Sequence, residues 1–494
     1  MLYGLWHSFV PGLSAGAQAF IRTAYGLLLL GTLLIALPHG RRFFATERWG
    51  GYAVSTPQTD RVQNPTVYPI LMAAWLTLSI LLSVGVWSVG VALGNLLLCR
   101  YFFIQMRWKG VLRGMGAPGF LAYWLGAAVF LLELTTHYAP NVRPLAVLVL
   151  QVDFALIILS AGIYKLTAGY ARNEGMEFGL VNPQWGYWWR AWRRVPPGHW
   201  LFRTLNHLAW GTEVVAALCM LFPSTRLLGG LLLIVSFSFI VSQIRLSLLC
   251  EMVMLCGVLY FPAGGLADRW LGTMVAALGG PQAQSSATAS IAATALGVGL
   301  AGYLALLPLA HGGLFYNFYA RRSLPRPIQQ FLEAYTNFFG MIIWRVFSVD
   351  VVNFFVLIYH RRRDETGSRT LISRYGWREG GWRYSHVGEA ITVTCLFTTL
   401  KYYAGNPALF AERLLRYART VPHPADSVLI FEYRSIRKTE AGFEDVPVAE
   451  YHVDVATGTV RERILDGRLS VRAGHPVSPV HEGARPGSYA PLPG

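Results

Sequence analysis

The stretch that decides the fold is LAVLVLQVDFALIILSAGIYKL, residues 145–166. It is apolar along almost its whole length, and about 20 apolar residues rising 1.5 Å each cross the hydrocarbon core of a bilayer. Lys165 lies near its end. An ammonium group in or beside such a span is costly and marks a candidate functional site, unless its long stem carries the charge to the headgroups. Spacing alone leaves both interpretations of Lys165 open.

The composition extends this interpretation to a polytopic membrane protein. Of the 494 residues, 54% are hydrophobic and 14% are charged, whereas soluble domains carry about 25% charged residues. The five cysteines show neither a metal-binding spacing nor a disulfide framework. No nucleic-acid motif accompanies the net charge of +16, so basic loops that flank a membrane explain it better. We expect the lipid bilayer as a partner, and neither a metal nor a nucleic acid.

Apolar runs predict an α-helical membrane bundle of about nine transmembrane helices within residues 1–320. The runs lie at about 19–37, 67–86, 88–106, 119–137, 144–166, 205–222, 226–244, 246–262 and 288–310. Residues 321–346 are predicted to be a linker. Its aromatic and amphipathic part, 328–344, is expected to lie at the membrane interface.

Residues 347–471 are predicted to form a mixed β domain with one helix, outside the membrane. Segments rich in Val, Ile, Thr, Phe and Tyr predict strands at 350–359, 369–375, 391–402, 427–435 and 446–455. The helix is expected to begin with Asn406 as N-cap and Pro407 as its first residue. A turn at 454–460 predicts a hairpin. Residues 472–494 hold five prolines and few large apolar groups, and are predicted to be a disordered tail.

Ionisable residues inside the predicted spans are the candidates for chemistry. Burial disfavours the ammonium form of Lys165, which leaves an amine that can take a proton as a catalytic base. Gly162, one turn earlier, would let a neighbouring helix or a ligand approach closely. Glu213 and Glu251 must face protein or water, and a pairing of either with Arg22, Arg245 or Lys165 stays open. For Asp153 we expect a bond between helices, and for His137 and His207 hydrogen bonds at the interface.

Residues 185–194, WGYWWRAWRR, concentrate tryptophan and arginine after the fifth run. One interpretation is an aromatic belt whose arginines bind lipid headgroups. The other is a lid over the membrane site that grips an anionic partner. The candidate substrate-binding or partner-binding residues are Gly162, Glu213, Trp188, Trp189, Arg190, Arg193 and Arg194.

The segment 160–166, SAGIYKL, resembles the HTTM domain that defines the vitamin K-dependent γ-glutamyl carboxylase family. The family carries an Ala-Gly-x-x-Lys-Leu core on its fifth helix, and the family's lysine falls on Lys165. Glu213, thirteen residues before Arg226, matches a carboxylate at the same distance from an arginine in the carboxylases. Ser242-Gln243, followed by 252–255, is similar to the next helix pair. A β-rich region after the last helix also fits.

This resemblance implies an enzyme in which Lys165 deprotonates a quinol such as vitamin K hydroquinone, which would make a quinone or quinol the cofactor. The family's Trp-Asn-x-His-type motif has no counterpart at 106–112, which contains neither Asn nor His, and Ser238 replaces a family histidine. Residues 206–223 also resemble lipase maturation factors, which are assembly proteins. The alternative function is therefore a non-catalytic assembly or maturation factor that binds a partner protein through its C-terminal domain.

Charge and resemblance disagree on the orientation in the membrane. The first, third and fifth loops carry twelve basic residues, and the loops of the other side carry three. The twelve are Arg41, Arg42, Arg48, Arg61, Arg107, Lys109, Arg113, Arg172, Arg190, Arg193, Arg194 and Arg203; the three are Arg143, Arg226 and Arg269. The positive-inside rule places the odd loops and the C-terminal domain in the cytoplasm. The resemblance places them on the exoplasmic side, which we favour by treating the arginines as binding groups.

Overall fold

The computed structural model describes residues 12–106, 116–277, 291–320, 322–344, 349–364, 367–373, 387–403 and 405–466. Thirteen helices of nine or more residues are numbered here in chain order. They are α1 Ala15–Ala36, α2 Val67–Val84, α3 Ser88–Cys99, α4 Gly116–Tyr138, α5 Arg143–Thr167, α6 Trp200–Leu221, α7 Arg226–Gln243, α8 Leu249–Gly257, α9 Leu266–Ala277, α10 Ile291–Ala320, α11 Arg326–Phe339, α12 Val387–Tyr402 and α13 Pro407–Ala418. The predicted tail at 472–494 lies outside the described residues.

Seven stretches of helix among the described residues are long and apolar enough to cross a membrane. They are Ala15–Phe44, Val67–Val84, Ser88–Gln105, Pro118–Tyr138, Arg143–Thr167, Arg226–Gln243 and Ile291–Ala320. Each of the nine predicted runs coincides with a helix, but the count of nine spans is not confirmed. Helix α6 has the length but carries Arg203 and Glu213, and α8 with its following 3-10 turn reaches only from Leu249 to Tyr260.

Helix α5 lies at the centre of the bundle, between α6 on one side and α10 on the other. Most of its length is buried, whereas α10 is largely exposed to what surrounds the bundle. This difference follows from sequence, because α5 presents small and polar groups such as Gly162, Ser160 and Gln151 to its neighbours. Small residues let helices approach closely in a membrane.

Among its described residues, the C-terminal domain consists of an antiparallel sheet of five strands, two helices of twelve or more residues, α12 and α13, and a short helix at Val349–Val352. The strands are β1 Phe354–Arg362, β2 Thr370–Leu371, β3 Ser427–Thr439, β4 Gly442–Asp454 and β5 Thr459–Ile464, in the order β2-β1-β3-β4-β5. The predicted hairpin at 454–460 joins β4 to β5, with Asp454 opposite Thr459. The side chain of Asn406 accepts a hydrogen bond from the Leu409 amide, so the predicted start of α13 is confirmed.

The predicted strand at 391–402 is wrong, because this segment forms helix α12, and the described part of the domain therefore has two helices of twelve or more residues instead of one. Its run of β-branched residues favours a strand. In the structure Val393, Leu396, Phe397 and Leu400 are buried in one cluster with the sheet. Their spacing of three and four residues is that of one helix face, and packing of this face outweighs the local preference.

The linker contains α11, which begins at Arg326 and ends at Phe339, just before Gly340, whose backbone is left-handed. Leu332 and Thr336 are buried, while Ile328, Phe331 and Phe338 are more than half exposed. A helix with apolar side chains on an open face is typical of a membrane-surface segment. Within the predicted amphipathic stretch at 328–344, the helix thus ends at Phe339, five residues before the end of the stretch.

The C-terminal domain rests on two of the loops that join the membrane helices. From loop one, residues 37–66, the guanidinium of Arg42 contacts Glu389 at 3.7 Å and Thr420 at 2.9 Å. From loop five, residues 168–199, the Asn182 side-chain amide donates to the carbonyls of Val352 and Phe354 at 2.7 and 2.8 Å. Loop one, loop five and the domain therefore lie at the same end of the bundle.

Candidate functional site at the end of helix α5

The side chains of Lys165 and Glu213 form an ion pair between α5 and α6. The Nζ and Oε1 atoms are 2.5 Å apart, and the two side chains are 4% and 3% exposed. Of the three partners that the sequence left open, Lys165 is the one that contacts Glu213. In this buried pair each charge compensates the other. Removal of either partner would leave an uncompensated buried charge.

Gly162 explains how the two helices come close enough for this contact. A Cβ atom added to Gly162 would lie 2.7 Å from Val214 Cγ2, 3.0 Å from the Val214 amide nitrogen and 3.2 Å from the Trp210 carbonyl oxygen. Backbone atoms cannot give way as a flexible side chain can, so no larger residue fits here without moving α6. The predicted close approach of a neighbouring helix is confirmed, and that helix is the one that carries Glu213.

The second carboxylate oxygen of Glu213, Oε2, is buried and has no hydrogen-bond partner in the part of the chain that the structure describes. A buried acceptor that lacks a donor costs about 1–3 kcal/mol. The pair therefore has one acceptor position without a donor, beside an amine that donates a hydrogen bond to Oε1. Such a site can pass a proton between nitrogen and oxygen while its net charge stays zero.

A second buried carboxylate, Glu177, is bonded to the same helix α6 and links it to the C-terminal domain. Its Oε2 accepts hydrogen bonds from the Asn206 side chain at 2.7 Å and the Gly175 amide at 3.1 Å, and its Oε1 pairs with Lys438 of β3. Tyr170 is fully buried within electrostatic range of both carboxylates. Burial raises the pKa of the Tyr170 phenol well above its ordinary value, and the charges of Glu213 and Glu177 raise it further.

The tryptophan and arginine side chains of residues 185–194 divide into two groups. Arg193 pairs with Asp445 of β4 at 2.5 Å and lies over the Trp189 ring at 4.7 Å. Trp188, Arg190 and Arg194 are exposed, and the Trp188 indole donates to the Ser242 carbonyl at 3.1 Å. The anionic partner of Arg193 is therefore the chain's own C-terminal domain, and the exposed members are the ones left for lipid or another partner.

The remaining candidates lie elsewhere. Asp153 Oδ2 accepts hydrogen bonds from Trp124 of α4 at 2.9 Å and Tyr303 of α10 at 3.1 Å, as expected for a bond between helices. His137 and His207 form hydrogen bonds within their own helices. Among the described residues no group of three His, Cys, Asp or Glu side chains could hold a metal ion.

Sequence reasoning missed the roles of Glu177, Asn206 and Lys438. The signal for Glu177 was a single carboxylate in the apolar stretch Met176–Val181, and for Asn206 an amide in an apolar part of α6. No signal marks Lys438, because it lies among charged residues near the end of β3 and its partner is 261 residues away.

In comparisons with known proteins, the chain matches no protein-family model, no curated protein and no solved structure.

Proposed function

We propose that this chain is a multi-pass membrane enzyme of the HTTM type that removes a proton from a lipid-soluble quinol through Lys165. The observation that carries the proposal is the buried contact of Lys165 with Glu213, at 2.5 Å, near the end of the central helix. An intramembrane lysine and carboxylate that face each other are costly to keep without a use. A quinol dissolves in the bilayer, where this pair lies.

The proton balance of the step is as follows. When the proton of the pair resides on Glu213, the amine of Lys165 is neutral and accepts the proton of a quinol hydroxyl. Lys165 is then an ammonium beside a protonated Glu213, and the bound quinol is an anion. The site remains neutral overall, because the ammonium now pairs with the quinol oxygen. A positioned base contributes roughly 10²–10⁴-fold to such a proton transfer.

The test uses the full chain in lipid nanodiscs, supplied with phylloquinol in air. A quinol anion transfers two electrons to dioxygen and, with return of the proton that Lys165 took up, yields the quinone and hydrogen peroxide, so oxygen uptake reports deprotonation. We expect Lys165→Met to lower the rate at least tenfold. Lys401→Met is the matched control, because it removes the same charge from a lysine that contacts Asn353 in the C-terminal domain, and it should keep the wild-type rate.

Equal rates for wild type and Lys165→Met would refute the proposal. A protein that co-purifies in a one-to-one ratio, together with no quinol oxidation by the wild type, would instead support the assembly or maturation factor.

We place the C-terminal domain on the exoplasmic side, in a topology of nine spans. This placement rests on the resemblance and on two loop arginines, Arg42 and Arg193, whose charges are taken up by Glu389 and Asp445. Arginines that serve as internal binding groups count less toward the positive-inside rule.

Alkaline phosphatase fused after Gly494 is expected to be active, and a fluorescent protein at the same point is expected to be dark. Fusions after Gly264, in the exposed loop before α9, provide the control and should give the opposite pattern. Fluorescence without phosphatase activity at Gly494 would place the domain in the cytoplasm.

A further inference from the structure

Loop one contains a cavity of about 890 Å³ beside the start of helix α2. Clefts that bind small molecules measure about 300–1,000 Å³, so an organic ligand fits in this volume. The wall includes Arg48, Asp60, Arg61, Asn64, Thr66 and Val67. Since the described wall contains no residue of the Lys165 site, the cavity is a separate place in the molecule.

Two arginines give the wall of the cavity its positive charge. The guanidinium of Arg48 lies over the ring of Trp49 at 5.1 Å, and the Arg48 side chain is 63% exposed. Arg61 is exposed as well, and it forms no ion pair within the described ranges. An exposed guanidinium offers paired N–H donors that match the oxygens of a phosphate. The chemistry of the wall therefore favours a phosphate-bearing ligand.

The acidic side chain in the wall, Asp60, is already bonded within loop one. Its carboxylate accepts hydrogen bonds from the hydroxyls of Thr46 at 2.6 Å and Ser55 at 2.7 Å, and it lies 3.7 Å from the guanidinium of Arg48. The two hydroxyls hold the pKa of Asp60 below its ordinary value, so the carboxylate is ionised at neutral pH. Two arginines and one aspartate leave the wall with one positive charge in excess, and Arg61 carries it.

The first backbone amides of α2 do not add to this charge. The side-chain oxygen of Asn64 accepts hydrogen bonds from the amides of Thr66 and Val67 at 3.0 and 2.9 Å. Amides in this position are the ones that a helix otherwise turns toward an anion. Because Asn64 occupies them, the attraction for an anion comes from the arginine side chains, and each arginine can be tested by itself.

Helix α2 leads away from the cavity with an exposed and mostly apolar face. Ile70, Ile80 and Val84 are at least half exposed, and Ala73 and Thr77 between them are exposed too. Steps of three and four residues place all five on one face of the helix. This face is about 21 Å long at 1.5 Å per residue, and it begins one turn after the cavity. An acyl chain can therefore lie along α2 while its headgroup occupies the cavity.

We propose that the loop-one cavity binds the headgroup of an anionic phospholipid, with its phosphate paired to the arginines of the wall and an acyl chain along the exposed face of α2. A bilayer lipid fits better than a soluble phosphate ester, because the cavity continues into a helix that is long and apolar enough to cross the membrane. A zwitterionic headgroup fits less well, because its ammonium meets the excess positive charge while Asp60 is already bonded. The proposal is independent of proton transfer at Lys165.

The test measures lipid binding to the delipidated full chain in detergent by native mass spectrometry. We expect dioleoyl phosphatidylglycerol to bind more tightly than dioleoyl phosphatidylcholine. Arg61→Gln should weaken phosphatidylglycerol binding about fivefold, which is the effect of one basic residue near an anionic lipid. Its unfolding temperature without added lipid should equal that of the wild type, because Arg61 has no ion pair to lose among the described residues.

Arg269→Gln is the matched control. Arg269 is an exposed arginine beside an exposed tryptophan, Trp270, but it lies on α9, which packs on the start of α1, at the other end of the bundle from loop one. Its replacement removes the same charge and should leave phosphatidylglycerol binding within about twofold of the wild type.

A second variant separates a cavity from a merely charged surface. Thr66→Trp fills the cavity and keeps both arginines, so it should lower phosphatidylglycerol binding as much as Arg61→Gln does; binding at the wild-type level would overturn the proposal. Equal losses in Arg61→Gln and Arg269→Gln would also overturn it, as would equal affinities of the wild type for the two lipids. Displacement of phosphatidylglycerol by soluble glycerol phosphate would assign the cavity to a free phosphate ester and refute the lipid.

Discussion

Replacing Glu213 with leucine is expected to destabilise the membrane domain by about 3–5 kcal/mol. The substitution leaves the ammonium of Lys165 buried next to an apolar side chain, and the described residues show no second acceptor bonded to it. We expect a sharp fall in the amount of folded protein and in the unfolding temperature of what remains. Both are measured on protein in nanodiscs, by size-exclusion chromatography and by thermal unfolding.

The double variant Lys165→Met with Glu213→Leu provides the decisive comparison. It removes both charges, and a buried pair replaced by apolar groups of similar size is often neutral in stability. We therefore expect most of the lost stability to return. Asp426→Leu is the control for an exposed pair, because the side chains of Asp426 and its partner Arg362 are 60% and 56% exposed, and its cost should stay below about 1 kcal/mol. A Glu213→Leu protein as stable as the wild type would show that the pair does not hold α5 and α6 together.

The second large effect is expected from Glu177→Leu, which should loosen the C-terminal domain from the bundle. The carboxylate of Glu177 bonds both Asn206 of α6 and Lys438 of β3. Its loss leaves an amide and an ammonium without this acceptor, at a cost of about 3 kcal/mol. We expect faster proteolysis between the two domains, and faster amide exchange in β3, than in the wild type.

Glu174→Leu is the matched control for this change. Glu174 lies three residues earlier in loop five and is exposed, so its replacement should leave proteolysis and exchange unchanged. If Glu177→Leu behaves like Glu174→Leu, the domains are held together by other contacts, such as that of Arg193 with Asp445.

Nine of the helices could be predicted from the sequence, because each of the nine apolar runs coincides with a helix, whereas α9 lies outside these runs and α12 was predicted as a strand. The sequence could not decide which of them cross the membrane. The run at 205–222 reads as a span by hydrophobicity, yet α6 carries Glu213 and has exposed aromatic residues near its start, such as Trp200. Length and apolarity show whether a single helix fits the bilayer. Whether a helix with a charged residue can cross depends also on a partner for that charge on a neighbouring helix.

The candidate site shows the same limit. Lys165 and Gly162 could be singled out within one helix, since a charge and a small residue in an apolar run are local signals. The pairing of Lys165 with Glu213 could not be predicted, because the two residues are 48 positions apart. By sequence, Arg22 and Arg245 were equally plausible partners for Glu213. In the same way, 391–402 was predicted as a strand from its residue types, although the spacing of Val393, Leu396 and Leu400 already fits a helix that packs on a sheet.

The contact of Arg42 with Thr420 has a consequence for how the protein is made. The two residues are 378 positions apart, and a ribosome adds about 5–20 residues per second. Loop one therefore waits roughly 20–75 s for its partner, which is long compared with the folding of a small domain. During that time the guanidinium of Arg42 also lacks its contact with Glu389. The surface of loop one that the C-terminal domain later covers is therefore exposed in the newly made bundle. A cell that produces this chain needs either a chaperone for that interval or tolerance of a half-assembled bundle.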